Sequence, residues 1–342
     1  MSEQLDDAGR LKHLLTLEDM PRGVLEALLQ RADALAEHAH GGTGMRGVLA
    51  GKAVCTLFFE ASTRTRCSFS LAIQRLGADL LNFDASTASI TKGESDLDTL
   101  KTLEAMGVHG FVVRHKTDGA VAALARSALP GTVLINAGDG RSNHPTQGLL
   151  DMLTLRQAKG PDFSAMKVLI VGDVKHSRVA RSDLQALHAL RTGEVRVCGP
   201  ASLLPDDGTL RDCVVGDDFD VMLNGVDAVI MLRLQRERMV EGLVASLDDY
   251  HRDFGLTTER LKRAAPDAIV MHPGPMNRGI EITGEVADGP QSRVLQQVAN
   301  GVAVRMAVLE ALLAWQLDPA KPASAVAPAS PIRGNSGSPS RR

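Results

Sequence analysis

Short apolar runs of strand length recur along this chain, most of them leading into a stretch whose apolar residues return at helical spacing. That alternation is what most limits the fold. Residues 53–59, 110–113, 132–136, 167–171, 194–198, 228–232 and 268–271 read as strands. Residues 64–76, ended by Gly77, read as a helix, as do 145–157, with Pro145 in the first turn, and 179–190. Strands separated by helices in this way pair in parallel and are covered on both faces. The expectation is an α/β protein of two doubly wound domains. Each has a mostly parallel sheet flanked by helices, and a long helix over 294–315 closes the chain.

A length of 342 residues accommodates two such domains. The polar joint Lys159-Gly160-Pro161-Asp162 is the expected boundary. It leaves 1–158 as a first domain, completed by the returning helix 293–316, and 159–292 as a second. The first forty residues read as a helix-rich lead-in, from the recurrence of Leu14, Leu15, Leu25, Leu28, Leu29 and Leu35. Residues 318–342 are dominated by Pro, Ala, Ser and Gly, bury too little apolar surface to offset their ordering entropy, and are expected to be disordered.

Composition narrows the function class. Apolar residues make up 44% and charged residues 23%, ordinary for a globular protein, and the formal net charge is −3. A chain of that charge is not built for nucleic acid or a membrane surface, so an anionic ligand must be drawn in by a local group of arginines. The cysteines Cys55, Cys67, Cys198 and Cys213 form no CxxC pair and have no His at metal-ligand spacing. No disulfide framework is expected. No run of 18 apolar residues is present, and no basic segment precedes an apolar one near Met1. These features predict a cytoplasmic protein.

The strand at 53–59 runs through Glu60-Ala61 into Ser62-Thr63-Arg64-Thr65-Arg66 and then into a helix. Free amides at a helix N-terminus favour an anion. Three hydroxyls add donors, and Arg64 and Arg66 add charge with forked geometry. Two arginines at a helix start oppose its dipole, so an anion should compensate them. His144 follows the turn-prone Ala137-Gly138-Asp139-Gly140 at the end of another strand, at the sheet edge where α/β sites gather. Arg178 and Arg233 likewise follow strand ends.

The string Phe58-Phe59-Glu60-Ala61-Ser62-Thr63-Arg64-Thr65-Arg66 resembles the phosphate-binding signature of the aspartate and ornithine carbamoyltransferases. In the same order as in that family follow Arg114-His115, His144-Pro145-Thr146-Gln147, Gly172-Asp173 through Arg178, Arg233-Leu234-Gln235-Arg236-Glu237-Arg238, and His272-Pro273-Gly274-Pro275. Together they cover residues 10–316.

The resemblance implies that Ser62, Thr63, Arg64 and Thr65 bind the phosphate of carbamoyl phosphate. Thr65, Arg114 and His144 would bind its carbonyl oxygen, Gln147 its amide, and the carbonyls of Gly274 and Pro275 would accept from substrate. Many members carry Leu where Gly274 stands. Arg178 and Arg233, with Gln235 and Lys92, would hold the carboxylates of aspartate. Ser89 and Lys92 would come from a neighbouring subunit, making a homotrimer with shared sites. By themselves, these two residues read as part of a solvated loop. Glu60 and Arg238 would form ion pairs when the domains close.

The implied reaction is carbamoyl transfer from carbamoyl phosphate to the α-amine of L-aspartate in pyrimidine biosynthesis, with ornithine as the alternative acceptor. No metal or organic cofactor is implied. Regulatory or dihydroorotase-like chains are possible partners, as the family occurs both alone and with them. His272-Pro273-Gly274-Pro275 stands where ornithine enzymes carry His-Cys-Leu-Pro, and arginines suit a dicarboxylate better than a cationic side chain. A dinucleotide-binding oxidoreductase is a third reading, from Leu169-Ile170-Val171-Gly172-Asp173. The glycines that a dinucleotide turn requires are replaced by Val174, Lys175 and His176. A catalytically silent relative is disfavoured because every matched binding residue is present.

Overall fold

The structure, a computed structural model, describes residues 3–41, 45–84, 94–234 and 246–314. The tail 318–342 and the candidate residues Ser89, Lys92, Gln235 and Arg238 lie outside the described residues.

The strands β1 (Ala53–Phe58), β2 (Asp79–Asp84), β3 (Gly110–His115) and β4 (Val133–Asp139) form one sheet in the order β2-β1-β3-β4. A second sheet holds β5 (Lys167–Val171), β6 (Glu194–Cys198), β7 (Val214–Gly216), β8 (Ala228–Met231) and β9 (Ile269–Met271), in the order β7-β6-β5-β8-β9. Every ladder in both sheets is parallel. In each, the chain winds outward from a central strand on one side and then on the other, as a doubly wound sheet requires. The order reverses between β1 and β3 and again between β5 and β8, and clefts open at such points beyond the carboxyl ends of the strands.

The longer helices are α1 (Arg22–Ala39), α2 (Thr63–Leu76), α3 (Asp96–Ala105), α4 (Ala120–Ser127), α5 (Pro145–Lys159), α6 (Arg178–Ala189), α7 (Leu247–Phe254) and α8 (Val294–Leu313). Strands buried on both faces deliver alternate side chains to different cores. Val168 and Ile170 of β5 join a large cluster with α1, α2, α5, α6 and α8. Leu169 and Val171 join a cluster on the far face of the second sheet. Cys55 and Leu57 of β1 do the same on the far face of the first sheet. The large cluster is continuous from the first sheet to the second. It is pinned where Gly148 of α5 meets α6, since a β-carbon there would lie 2.9 Å from the Ser182 carbonyl. Helix α8 is apolar almost all round and therefore buried, against α1, α2 and α5. Glu310 on α8 takes both arms of the Arg31 fork from α1, at 2.6 and 2.8 Å.

The lead-in departs from its expected helical character: the helix spans only Arg22–Ala39. Leu14 instead forms a parallel bridge with Ile135, its N–H donating to the Leu134 carbonyl at 2.9 Å and its carbonyl accepting from Asn136 at 2.8 Å. Leu14 enters the large cluster, whereas Leu15 enters the one on the opposite face of the first sheet. Adjacent leucines on opposite faces are the mark of extended chain, and here they cover the edge of β4.

His13 closes that edge. It is buried, and its Nδ1 accepts from the Leu134 N–H at 3.1 Å, which requires an unprotonated nitrogen. Burial, with Lys12 nearby, lowers its pKa from 6.5 to about 4. A folded-state pKa below the unfolded one gives stability that is present above pH 6.5 and lost as the pH falls toward 4. Between pH 7 and pH 4 the wild-type protein should lose roughly 3 kcal/mol more than His13→Asn, whose amide oxygen can accept the same bond without titrating. Urea unfolding at the two pH values measures this, and equal losses would exclude His13 as the source.

Candidate active site

The loops that follow β1, β3, β4, β5, β8 and β9 all open onto one cavity of about 1100 Å³ between the two sheets. The structure brings Ser62, Thr63, Arg64, Thr65, Arg114, His144, Gln147, Arg178, Arg233, Gly274 and Pro275 to its wall. Arg66 is not part of that wall; its guanidinium stands over the Phe58 ring at 5.1 Å. Among the described residues, no group of three or more His, Cys, Asp or Glu side chains is placed to hold a metal ion.

Three helices begin at this cavity, and local sequence explains why each offers its amides to it. Ser62 caps α2 from an extended conformation but makes no side-chain capping bond, and the first turn of α2 has no acidic residue. His144 precedes α5, with Pro145 at the first position, where a missing N–H costs nothing. Ser177 caps α6 by accepting from the Ala180 N–H. Neither α5 nor α6 has an acid in its first turn. The partial positive ends of three helices and the arginines thus reinforce one another, in a chain of net charge −3.

Glu60 is the carboxylate that holds these cations together. It accepts from Arg114 Nη2 at 2.8 Å and from both arms of Arg178 at 2.9 and 3.0 Å. Arg178 also donates to the Gly140 carbonyl, and Arg114 to that of Ala137. Burial alone would raise the Glu60 carboxyl, but the guanidiniums of Arg178 and Arg114 outweigh it and hold it below the usual carboxylate range. Arg114 links to the first sheet and Arg178 to the second, so Glu60 ties the two sides of the cleft. Burial, and then the Arg178 charge, lower the Arg114 pKa; burial and Arg233 lower that of Arg64.

His144 is buried, and burial, reinforced by Arg114, Arg178 and Arg305, pushes its pKa well below 6.5. It is therefore a neutral imidazole at neutral pH. Its main-chain N–H donates to Ser182 Oγ at 2.9 Å. Across the cleft, Gly274 has φ 64°, a left-handed conformation open to glycine, and a β-carbon there would lie 3.3 Å from the Arg64 guanidinium carbon. The His272 ring shapes this turn, with Nδ1 accepting from the Gly274 N–H at 2.8 Å and Nε2 facing Glu281 at 3.2 Å.

Several site residues were not singled out from the sequence. Asp173 and His176 both line the cavity and are joined through Oδ1 and Nδ1 at 2.7 Å. Behind the wall, Asp151 on α5 and Asp183 on α6 are both fully buried, and Gln297 and Arg305 of α8, which line the cavity, reach the same region. The signal for Asp151 was present: it is a lone acid in the apolar run Leu149-Leu150-Asp151-Met152-Leu153. An acid so placed is buried with partners or not buried at all.

Comparison with known proteins agrees with this architecture. Residues 12–157 match the family model described as "Aspartate/ornithine carbamoyltransferase, carbamoyl-P binding domain", and residues 164–312 match "Aspartate/ornithine carbamoyltransferase, Asp/Orn binding domain". The chain is 73% identical over 313 residues to a Stenotrophomonas maltophilia protein named aspartate carbamoyltransferase catalytic subunit, covering 91% of this chain and 99% of that one. A protein of the same name from Xanthomonas euvesicatoria is 73% identical over 310 residues, covering 91% and 98%. Among solved structures, Trypanosoma cruzi aspartate transcarbamoylase in complex with carbamoyl phosphate and aspartate superposes with a TM-score of 0.78 at 30% identity, covering 89% of this chain and 97% of that one. Ornithine carbamoyltransferase from Thermus thermophilus superposes with a TM-score of 0.77 at 30% identity, covering 88% and 99%. Fold, cleft and sequence agree that this chain belongs to the aspartate/ornithine carbamoyltransferase family.

Proposed function

We propose that this protein transfers the carbamoyl group of carbamoyl phosphate to the α-amine of L-aspartate, giving N-carbamoyl-L-aspartate and phosphate for pyrimidine biosynthesis. The observation that carries this reading is the convergence of Arg64, Arg114, His144, Arg178 and Arg233 on one cavity between two sheets. Relatives 73% identical over most of the chain are named aspartate carbamoyltransferase catalytic subunits. That name also supports assembly with other chains. Our reading is a homotrimer in which Ser89 and Lys92 complete a neighbour's site. We divide the chain into a carbamoyl phosphate domain, 1–158 with the returning helix 293–316, and an aspartate domain, 159–292. Among the described residues, no helix is long and apolar enough to cross a membrane.

In this mechanism the phosphate sits at the N-terminus of α2, bound by Ser62, Thr63, Arg64 and Thr65. The carbamoyl oxygen faces Thr65, Arg114 and His144, and its amide faces Gln147. Aspartate then enters from the second domain's side, its carboxylates meeting Arg178 and Arg233, with Lys92 and Gln235 as further ligands. Gly274 and Pro275 present main-chain carbonyls to the reacting nitrogens. The α-amine attacks the carbamoyl carbon, negative charge gathers on the oxygen, and preset donors stabilise it. Collapse expels phosphate, which takes up the amine proton. Positioning two reactants in one cleft accounts for much of the rate, and the protein forms no covalent bond to either. Because His144 is neutral, it stabilises the oxyanion by donating a hydrogen bond and not by carrying a charge.

Purified oligomeric protein given carbamoyl phosphate and L-aspartate should form carbamoyl aspartate; turnover with ornithine but not aspartate would overturn the reading. Arg64→Ala should weaken phosphate binding by about 10–100-fold with the unfolding midpoint little changed. Arg233→Ala should raise the aspartate KM by a similar factor, and an unchanged aspartate saturation curve would remove Arg233 from the second pocket. His144→Ala should lower kcat by about 10²-fold, by a constant ratio between pH 6 and 8. A ratio that grows below pH 6.5 would instead identify the imidazolium as the active form.

A further inference from the structure

Gln147 reaches the cavity from the first turn of α5, and its amide is not free to turn. Its Nε2 donates to Asp151, one helical turn on, at 3.1 Å to Oδ1 and 3.2 Å to Oδ2. Asp151 is itself fully buried and also accepts from Gln297 Nε2 of α8 at 2.7 Å. A primary amide has one end that only donates and one that only accepts. With the nitrogen held inward by a carboxylate, the end left for the cavity is the carbonyl oxygen Oε1.

We propose that Asp151 is a positioning residue, holding Gln147 so that Oε1 faces the cavity and reads the amino group of carbamoyl phosphate. This rests on the carbamoyl phosphate reading above and adds the element of substrate choice within it. A carbamoyl NH₂ donates only. An acceptor opposite it recognises carbamoyl phosphate and gains nothing from acetyl phosphate, which has a methyl group in the same place. A buried acceptor left unmatched is the stronger basis for discrimination.

The surroundings keep Asp151 an acceptor. Asp183 approaches it from α6 and Arg305 from α8, while Gln147 lies on its own helix and Gln297 on α8. Burial raises both carboxyls, Asp151 to about 6 and Asp183 well above its ordinary value, the Asp151 charge adding to the second shift. Asp151 accepts from two amides and feels the Arg305 charge, which favours the ionised form at Asp151 over Asp183. Helices α5, α6 and α8 meet at this one carboxylate.

The test compares binding of carbamoyl phosphate, acetyl phosphate and inorganic phosphate to wild type and variants. Asp151→Leu should weaken carbamoyl phosphate at least tenfold, shrink its advantage over acetyl phosphate by a similar factor, and leave inorganic phosphate within about twofold. If Asp151→Leu fails to fold, Asp151→Ser carries the same test. Asp151→Asn should retain the preference, since its oxygen can face the glutamines while its nitrogen donates to Asp183. In a Gln147→Ala background, Asp151→Leu should have little further effect, because the two act as one unit. Equal weakening of all three anions, or additive losses in the double variant, would overturn the proposal in favour of a purely structural carboxylate. A wild-type protein that does not prefer carbamoyl to acetyl phosphate would overturn the carbamoyl reading itself, and this inference with it.

Discussion

A single carboxylate, Glu60, lies between two guanidiniums that come from opposite sides of the cleft, Arg114 from the end of β3 and Arg178 from the start of α6. Without it, cations gathered for anionic ligands would face each other across a partly desolvated space, where like charges repel far more strongly than in water. The arrangement follows from topology. Parallel strands put all their carboxyl ends on one side, and α5 packed on α6 turns the two sheets so that those ends face each other. The arginines then have to converge, and Glu60 makes that convergence tolerable. It also defines the exchange that a bound dicarboxylate would bring about, since a ligand engaging Arg178 competes for a fork that Glu60 now occupies.

The buried polar groups behind the cleft obey the same logic at lower dielectric. Arg305 of α8 is buried, with its guanidinium 4.9 Å from the Phe69 ring centroid, and burial pushes its pKa down to about 9 although Asp151 favours its charge. Asp151 and Asp183 could not both be ionised there. Asp151 is the centre of the network, with the Gln147 and Gln297 amides donating to it and Arg305 favouring its charge. Such networks are sensitive to loss of one member, which leaves another buried and unpaired. That is the physical reason to regard the region beneath Gln147 as part of the site.

Much of the fold was legible because its strands are central and apolar: β5 spans Lys167–Val171 and β6 spans Glu194–Cys198, as their patterns predict. What escaped was at the edges. Strand β2 carries Asp79, Asn82 and Asp84 and, among the described residues, pairs with β1 alone, so no apolar run announces it. Helix α3 has a readable start, Ser95 accepting from the Asp98 N–H, but no long apolar run marks its body. The lead-in was misread because Leu14 and Leu15 fit a helical count as well as an extended one, and only pairing with β4 decides between them. The cavity-lining loops were legible through family resemblance. The carboxylates behind them were not, since their meaning depends on which helices meet, and that is a property of the assembled fold.

Charge balance favours an anionic acceptor. The cavity wall carries Arg64, Arg114, Lys116, Arg141, Arg178, Arg233 and Arg305, and its carboxylates are Glu60, already shared by Arg114 and Arg178, Asp118, which accepts from the Arg141 N–H, and Asp173, joined to His176. A phosphate at the start of α2, as proposed above, would account for Arg64 and the helix amides. In the proposed mechanism Arg178 and Arg233 serve the second substrate. Two carboxylates on one small molecule satisfy them, and two planar forks recognise two carboxylates with little loss of side-chain freedom. An amino acid with a cationic side chain would supply only one carboxylate and set its own charge against the remaining guanidinium. The preference for aspartate therefore comes as much from the repulsion of the alternative as from the attraction of the substrate.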